Sequence, residues 1–278
     1  MANSAYGSGL NLDALMVPVQ AATVYAAQES SLYLPGSMVP MVNVPSGSAS
    51  AQVAVMGSVA ATSVSSEATP GADFDTVLPS DTKVTIDLNL QVSRTVIRDL
   101  GGVDVNDMGR IMGNAIAAKV DTLVSAQFAN LTNIEIGTHA DLLHEFYEAI
   151  GAIRNSGETG PLAAVISAAK YGAFMKLIGG NAFAAADLQN AAMRTGALGM
   201  IAGVPVFVSA FLNDANTGLT GTTAAIFSQD ALRGATQGGV KVETERRIAA
   251  VGTDVVASIA FGVGTLDASR GRILIDAV

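Results

Sequence analysis

The chain has 278 residues, half of them apolar, with 15 basic against 24 acidic side chains and a formal net charge of −9. It contains no cysteine and no tryptophan, so disulfides, thiolate nucleophiles and Cys-ligated metals are excluded. Arg246-Arg247 is the one adjacent basic pair, too little for sequence-specific binding along a row of phosphates, and no stretch approaches the ~18 uncharged apolar residues of a membrane-spanning helix.

The N-terminus, "MANSAYGSGLNLDALMVPVQ", has no basic residue ahead of its apolar part, which argues against a secretory signal. Residues 1–13 are rich in Gly, Ser and Asn and read as an irregular arm. A helix is predicted over 18–31, with Pro18 at its start. "SMVPMVNVP" (37–45) reads as a strand. Residues 51–97 read as a long two-stranded excursion: "AQVAVMGSVA" runs out, "EATPGADFDTVLPSD" turns, and "KVTIDLNLQVS" returns. In the return strand Val84, Ile86, Leu88, Leu90 and Val92 alternate with polar residues, so one face is buried and the other wet. A lone hairpin of this length is marginal in water. Its apolar face therefore requires cover from the rest of the fold or from a neighbouring subunit.

One long helix is predicted over 104–131. Asp104 and Asp107 resemble an N-terminal capping arrangement. Val105, Met108, Met112, Ile116, Val120 and Leu123 form one apolar stripe. At 1.5 Å per residue this helix is ~40 Å long, a spine rather than a peripheral element. A second helix is predicted over 139–154, with Thr138 and Asp141 as its capping box and Leu142, Leu143, Phe146, Ile150 and Ile153 as its stripe. "NSGETGP" ends it. Beyond residue 161, "LAAVIS" reads as a buried strand and "AAKYGAFMKLIGG" as a helix. "VPVFVSAFL" and "AAIFS" follow as strands, "QDALRGAT" as a short helix, and the tail is β-rich. The order is neither a βαβ alternation nor a repeat array, so the fold class is α+β.

Motifs for chemistry fail one by one. "GALGMIAGVPVFVS" (196–209) is glycine-rich, but its glycines precede a strand, whereas phosphate loops follow a strand and open a helix. "SAAK" (167–170) matches S-x-x-K, yet no S-D-N or K-T-G follows, and Ser167 reads as a helix N-cap. A soluble serine hydrolase using Ser167 and Lys170 is the remote alternative. "HEFYE" (144–148) lacks the second His of H-E-x-x-H, and His139 and His144 read as exposed. In "VETERRI" (242–248), the neighbouring Lys241 with Glu243, Glu245 and Arg247 share one strand face with compensating signs. That pattern suits a solvated face or salt bridges between subunits. No catalytic, cofactor or metal site is predicted, and the chain is not expected to be an enzyme.

The order of elements resembles that of the major capsid proteins of tailed bacteriophages, the HK97-type fold shared with encapsulin shells. "QESSLYLPGSMVPMVNVPSG" is similar to that family's N-terminal arm running into its extended loop. "SSEATPGADFDTVLPSDTKVTIDLNLQVSRTVIRDL" is similar to the loop's acidic turn, return strand and entry to the spine helix. "DMGRIMGNAIAAKVDTLVSAQF" resembles the spine helix, with Asp121 where the family often carries an acidic residue. "AAVISAAKYGAFMKLIGG", "GMIAGVPVFVSAFL", "AAIFSQDALRGAT" and "ASIAFGVGTLDASRGRILIDA" resemble the axial domain and the closing segments.

The resemblance implies an N-terminal arm (1–35), an extended β-hairpin loop (36–97) and a peripheral domain with the spine helix (98–160). An axial domain (161–244) and return strands completing the peripheral domain (245–278) follow. It implies a structural subunit that self-assembles into pentamers and hexamers of an icosahedral shell around double-stranded DNA. That shell belongs to a virion, assembled in the host bacterial cytoplasm. DNA is enclosed without sequence-specific binding, no membrane is involved, and scaffolding, portal and decoration proteins are further partners it admits. An encapsulin-type compartment shell is the alternative. Expected assembly contacts are Glu67, Asp73, Lys83, Arg94, Arg98, Gly199, Gly203, Glu243, Glu245, Arg246 and Arg247. Lys83 lies in the loop, but nothing identifies an Asn partner or a catalytic carboxylate, so no cross-link is predicted. The acidic net charge suits a shell that holds DNA without adhering to it.

Overall fold

A computed structural model describes residues 12–55, 82–98, 105–136, 142–180, 199–247 and 252–276. The spine prediction resolves into helix α2 (Val105–Gln127) followed by a 3₁₀ turn (Phe128–Asn130). Met108, Met112, Ile116, Val120 and Val124 form its buried stripe, and the turn carries Phe128 into the same core. Helix α1 (Leu12–Ser30) starts earlier than predicted, with Pro18 inside it, where the ring removes one helical hydrogen bond.

The two helices touch at backbone distance. A Cβ on Gly109 would lie 2.7 Å from the Ala22 methyl, and one on Gly113 would lie 2.5 Å from the Thr23 carbonyl oxygen. The run Gly-Arg-Ile-Met-Gly on α2 is thus a notch into which the small residues of α1 fit.

Beneath the helices lies a four-stranded sheet in the order β1 (Met41–Asn43), β10 (Leu232–Arg247), β11 (Gly252–Thr265), β4 (Asn89–Arg98). Helix α1 lies on β10, and α2 lies on β11 and β4. Val240, Val242, Val255, Ala257, Ile259 and Phe261 join the core beneath them. A second sheet has six strands, in the order β5 (Thr132–Ile136), β12 (Gly271–Asp276), β9 (Thr222–Ser228), β6 (Leu162–Ser167), β8 (Val204–Ser209), β7 (Met200–Ile201). Strands β6 and β9 are buried along their whole length. Helices α3 (Leu142–Asn155) and α4 (Tyr171–Gly180) share a core with this sheet through Phe146, Ile153 and Phe174. A four-residue helix, α5 (Asp214–Thr217), lies between β8 and β9. Strands β2 (Ser50–Val55) and β3 (Thr82–Asp87) form a separate antiparallel pair, the root of the predicted excursion.

Several expectations are corrected. "QDALRGAT" is not a helix: residues 229–231 turn, and Leu232 opens β10. Ladders to β1 on one side and β11 on the other outweigh local propensity. The return strand is two strands, broken at Leu88 and belonging to different sheets. Ser167 ends β6, and α4 begins only at Tyr171, so Ser167 is no N-cap. Sheet membership also cuts across the sequence-based boundaries. Strands β5 and β12 and helix α3 go with the second sheet, together with β6 to β9 of the segment expected to form the axial domain, whereas β10, which begins inside that segment, belongs to the four-stranded sheet. Residues 1–11 of the predicted arm, the turn containing Glu67 and Asp73, the caps at Asp104, Thr138 and Asp141, and His139 lie outside the described residues.

Candidate assembly surface

The four-stranded sheet has helices on one face. On the other face sits the root of the β2–β3 hairpin. Ala235 and Gly262 are cross-strand partners and so share that face. Ala235 packs with Val44, Ala51 and Ile86, and a Cβ on Gly262 would lie 2.3 Å from the Asp87 carbonyl oxygen. The missing side chain is what lets the hairpin root lie flat on the sheet.

Past this root the face is open among the described residues. Its strand register gives clear rows across β10, β11 and β4: Lys241–Ser258–Val92, Glu243–Val256–Arg94, Glu245–Asp254–Val96. Leu90 stands beside Ala260. Leu90, Val92 and Val96 are 65%, 54% and 38% exposed. They line β4, which has β11 on one side and no strand on the other among the described residues. An apolar edge strand open to solvent is a template for pairing and association.

Asp254 lies beneath Arg94, its ion-pair partner; the carboxylate side chain is 6% exposed and the Arg94 side chain 53%. Glu245 stands directly opposite Asp254. Two carboxylates therefore share one row, and Arg94 on the adjacent row pairs with Asp254.

The predicted contact residues other than Glu67 and Asp73 divide among the four-stranded sheet, the hairpin and the second sheet. Arg94, Glu243 and Glu245 meet on the open sheet face. Arg98 and Arg247 both register with Gly252 in the next row, their side chains lying outside the described residues. Arg246 is exposed and pairs with Thr253, so it has the opposite parity. Lys83 is exposed on the hairpin, opposite Ala54. Gly199 and Gly203 are in the second sheet, around its β7–β8 edge. Ile201 pairs with Val204, leaving a two-residue turn whose Ala202 and Gly203 have φ of 52° and 79°. Positive φ at both central positions is a type I′ hairpin turn. This stretch closes a hairpin and opens no helix, so it forms no phosphate loop. No sequence motif marks Asp254, and alternation alone does not place Leu90, Val92 and Val96 on an open face.

The geometry does not favour the remote hydrolase reading. Ser167 is buried at the end of β6, and the Lys170 ammonium is engaged by the Asp276 carboxylate. Asp214 accepts the Gly221 and Thr222 amides at 3.0 and 2.8 Å; these bonds hold its pKa below the ordinary carboxylate value. Its role is to brace the loop into β9. Among the described residues no group of three His, Asp or Glu side chains could hold a metal, and no helix is long and apolar enough to cross a membrane.

The family model for phage capsid proteins matches residues 82–273. The chain belongs to the phage capsid protein family. This capsid protein is a major capsid structural subunit with the HK97-type fold. Its fold is similar to the capsid structure of cyanophage P-SCSP1u, with TM-score 0.64, 20% identity and 86% of each chain covered. A structure from Mycobacterium phage Che8 gives TM-score 0.62 at 17% identity, covering 82% of this chain and 84% of that one. A virus-like particle from Pyrococcus furiosus gives TM-score 0.65 at 11% identity, covering 93% and 98%. At these identities the likeness is one of fold. No curated protein sequence matches the chain.

Proposed function

We propose that the chain self-assembles, as pentamers and hexamers, into the icosahedral shell of a tailed-phage virion that encloses double-stranded DNA and is built in the host bacterial cytoplasm. The observation that carries this reading is the open sheet face, where edge strand β4 presents Leu90, Val92 and Val96 beside rows of both charge signs. Fully burying an aliphatic side chain of this size contributes roughly 1.5–3 kcal/mol, and a closed shell repeats the contact at every subunit. Arg94, Arg98, Glu243, Glu245, Arg246 and Arg247 supply register and partner choice rather than net attraction. Lys83 with Glu67 and Asp73 on the loop, and Gly199 and Gly203 at the second sheet, are further contacts of the same proposal. Net charge −9 favours enclosing DNA without adhering to it. Scaffolding, portal and decoration proteins are the further partners this reading provides for. It assigns the chain no catalytic or cofactor role.

The test is a Leu90→Glu, Val92→Glu double variant. Both side chains are exposed, so melting of the single chain should shift by no more than about 0.5 kcal/mol per site. Electron microscopy should show particles from the wild-type chain and none from the variant. Normal particles from the variant remove this surface from the reading. A wild-type chain that stays monomeric even beside a co-expressed scaffold overturns the shell itself. Particles filled with an enzyme in place of a genome would point to a compartment shell.

A further inference from the structure

The chain crosses between its two sheets twice near its end, from β9 to β10 through residues 229–231 and from β11 to β12 through residues 266–270. The crossings are bonded to each other. The amides of Leu266 and Asp267 both donate to the Ala231 carbonyl, at 2.8 and 3.4 Å. Arg270, in the second crossing, is the centre of their side-chain contacts. It donates from Nη1 to Glu158 Oε2 at 3.0 Å and to Asp230 Oδ2 at 3.3 Å, and from Nε to Asp267 Oδ2 at 3.1 Å.

These three carboxylates come from three segments. Glu158 lies between α3 and β6, Asp230 in the first crossing, and Asp267 in the second. The Glu158 side chain is 4% exposed. Its other oxygen accepts the Gly160 amide at 2.6 Å, and Arg270 is its one cationic side-chain partner among the described residues. A carboxylate buried this far requires its cation. The guanidinium is a rigid planar fork that can satisfy several acceptors in fixed directions, which an ammonium on a flexible stem cannot do.

We infer that Arg270 is a lock: it fixes the angle between the two sheets by tying both crossings and the α3–β6 connection to one cation. The subunit therefore enters an assembly with its two sheets as one rigid body. Different positions in a shell must then be accommodated elsewhere in the chain. This last consequence rests on the shell reading; the lock itself is a property of the single chain.

Hydrogen exchange on the full chain, kept below its assembly concentration, reads the lock directly. Arg270→Ala should speed exchange of the Leu266 and Asp267 amides about tenfold or more, while amides inside β6 and α2 keep wild-type rates. Arg270→Lys should fall between the two. If Arg270→Ala does not fold, Glu158→Gln and Arg270→Lys carry the test, since each keeps part of the bonding. Wild-type exchange at Leu266 and Asp267 in the folded variants overturns the lock, as does a uniform rise across all elements. In particles, Arg270→Ala should broaden the distribution of diameters. Loosened amides with uniform particles overturn the link to shell geometry. A wild-type chain without particles overturns the shell reading and leaves the exchange result standing.

Discussion

Asp121 projects from α2 into the joint where α1 ends, and it is 2% exposed. Its carboxylate accepts the Ser31 hydroxyl at 2.6 Å and the Leu32 amide at 3.1 Å. The Ser31 oxygen accepts the amides of Tyr33 and Leu34 in turn. No cation pairs with Asp121 among the described residues. Burial pushes its pKa up, and the bonds from Ser31, Leu32 and Tyr33 pull it down without cancelling the rise. Burial, with the charge of Asp121 second, also raises the Tyr33 hydroxyl. The sign of the linkage follows. The folded chain holds the Asp121 proton more tightly than the unfolded chain does. The stabilisation is complete below the ordinary carboxylate pKa and is lost as pH rises through the raised folded value. Asp214 and Asp267, both lowered, slope the other way, so a difference curve is needed. Asp121→Asn keeps an acceptor for Ser31 and removes the titration. Thermal melts of the unassembled chain between about pH 4 and 7 should show wild type losing stability relative to Asp121→Asn as pH rises. Parallel curves would refute the coupling. Asp121→Ala, which strands the Ser31 hydroxyl and the Leu32 amide, should cost about 1–3 kcal/mol.

Among the elements, the contact of α1 with α2 turns on two opposed magnitudes. Replacing glycine by alanine inside a helix ordinarily gains about 1 kcal/mol. At Gly113 the new methyl would sit 2.5 Å from the Thr23 oxygen and 2.7 Å from the Ala26 methyl. Overpacking of that kind costs about 1–3 kcal/mol or more, and the obstacle includes backbone that cannot rotate away. Gly113→Ala should therefore lower the melting temperature and raise hydrogen exchange in α1. Gly151→Ala on α3 is the control: nothing lies within 4 Å of its would-be Cβ, so that change should raise the melting temperature. This contact also marks the limit of what the sequence makes legible. The α2 stripe and the buried strand β6 read correctly because large apolar residues repeat at the right period. Ala22, Thr23 and Ala26 carry no such signal, so the partner of α1 is invisible and Pro18 misplaces its start. "QDALRGAT" has helix-like composition, and only its two strand neighbours make it a strand. At the open face, alternation identifies Leu90 and Val92 as apolar partners but not the break at Leu88 that separates them from the hairpin. The Arg94–Asp254 pair spans 160 residues and exists only through the register of β4 with β11.

For the whole molecule, the hairpin is the place where folding and assembly can be tested separately. Val55 and Thr82 are cross-strand partners at the far end of the β2–β3 pair. Residues 56–81 can therefore be excised and the strands rejoined through Asn-Gly, a two-residue turn suited to antiparallel strands. The root stays in place, because Ile86 still rests over Gly262 and packs with Val44, Ala51 and Ala235. Closing a shorter loop favours the folded state by on the order of 1–2 kcal/mol. The excised chain should melt cooperatively at or above the wild-type temperature. Under the proposed function it also loses Glu67 and Asp73 and whatever reach the segment gives to neighbouring subunits. The open face with Leu90 and Val92 remains. We expect a folded chain that gives no stable particles in electron micrographs. Particles of normal size would assign assembly to the sheet faces alone. A chain that fails to melt cooperatively would assign residues 56–81 to the folding core instead.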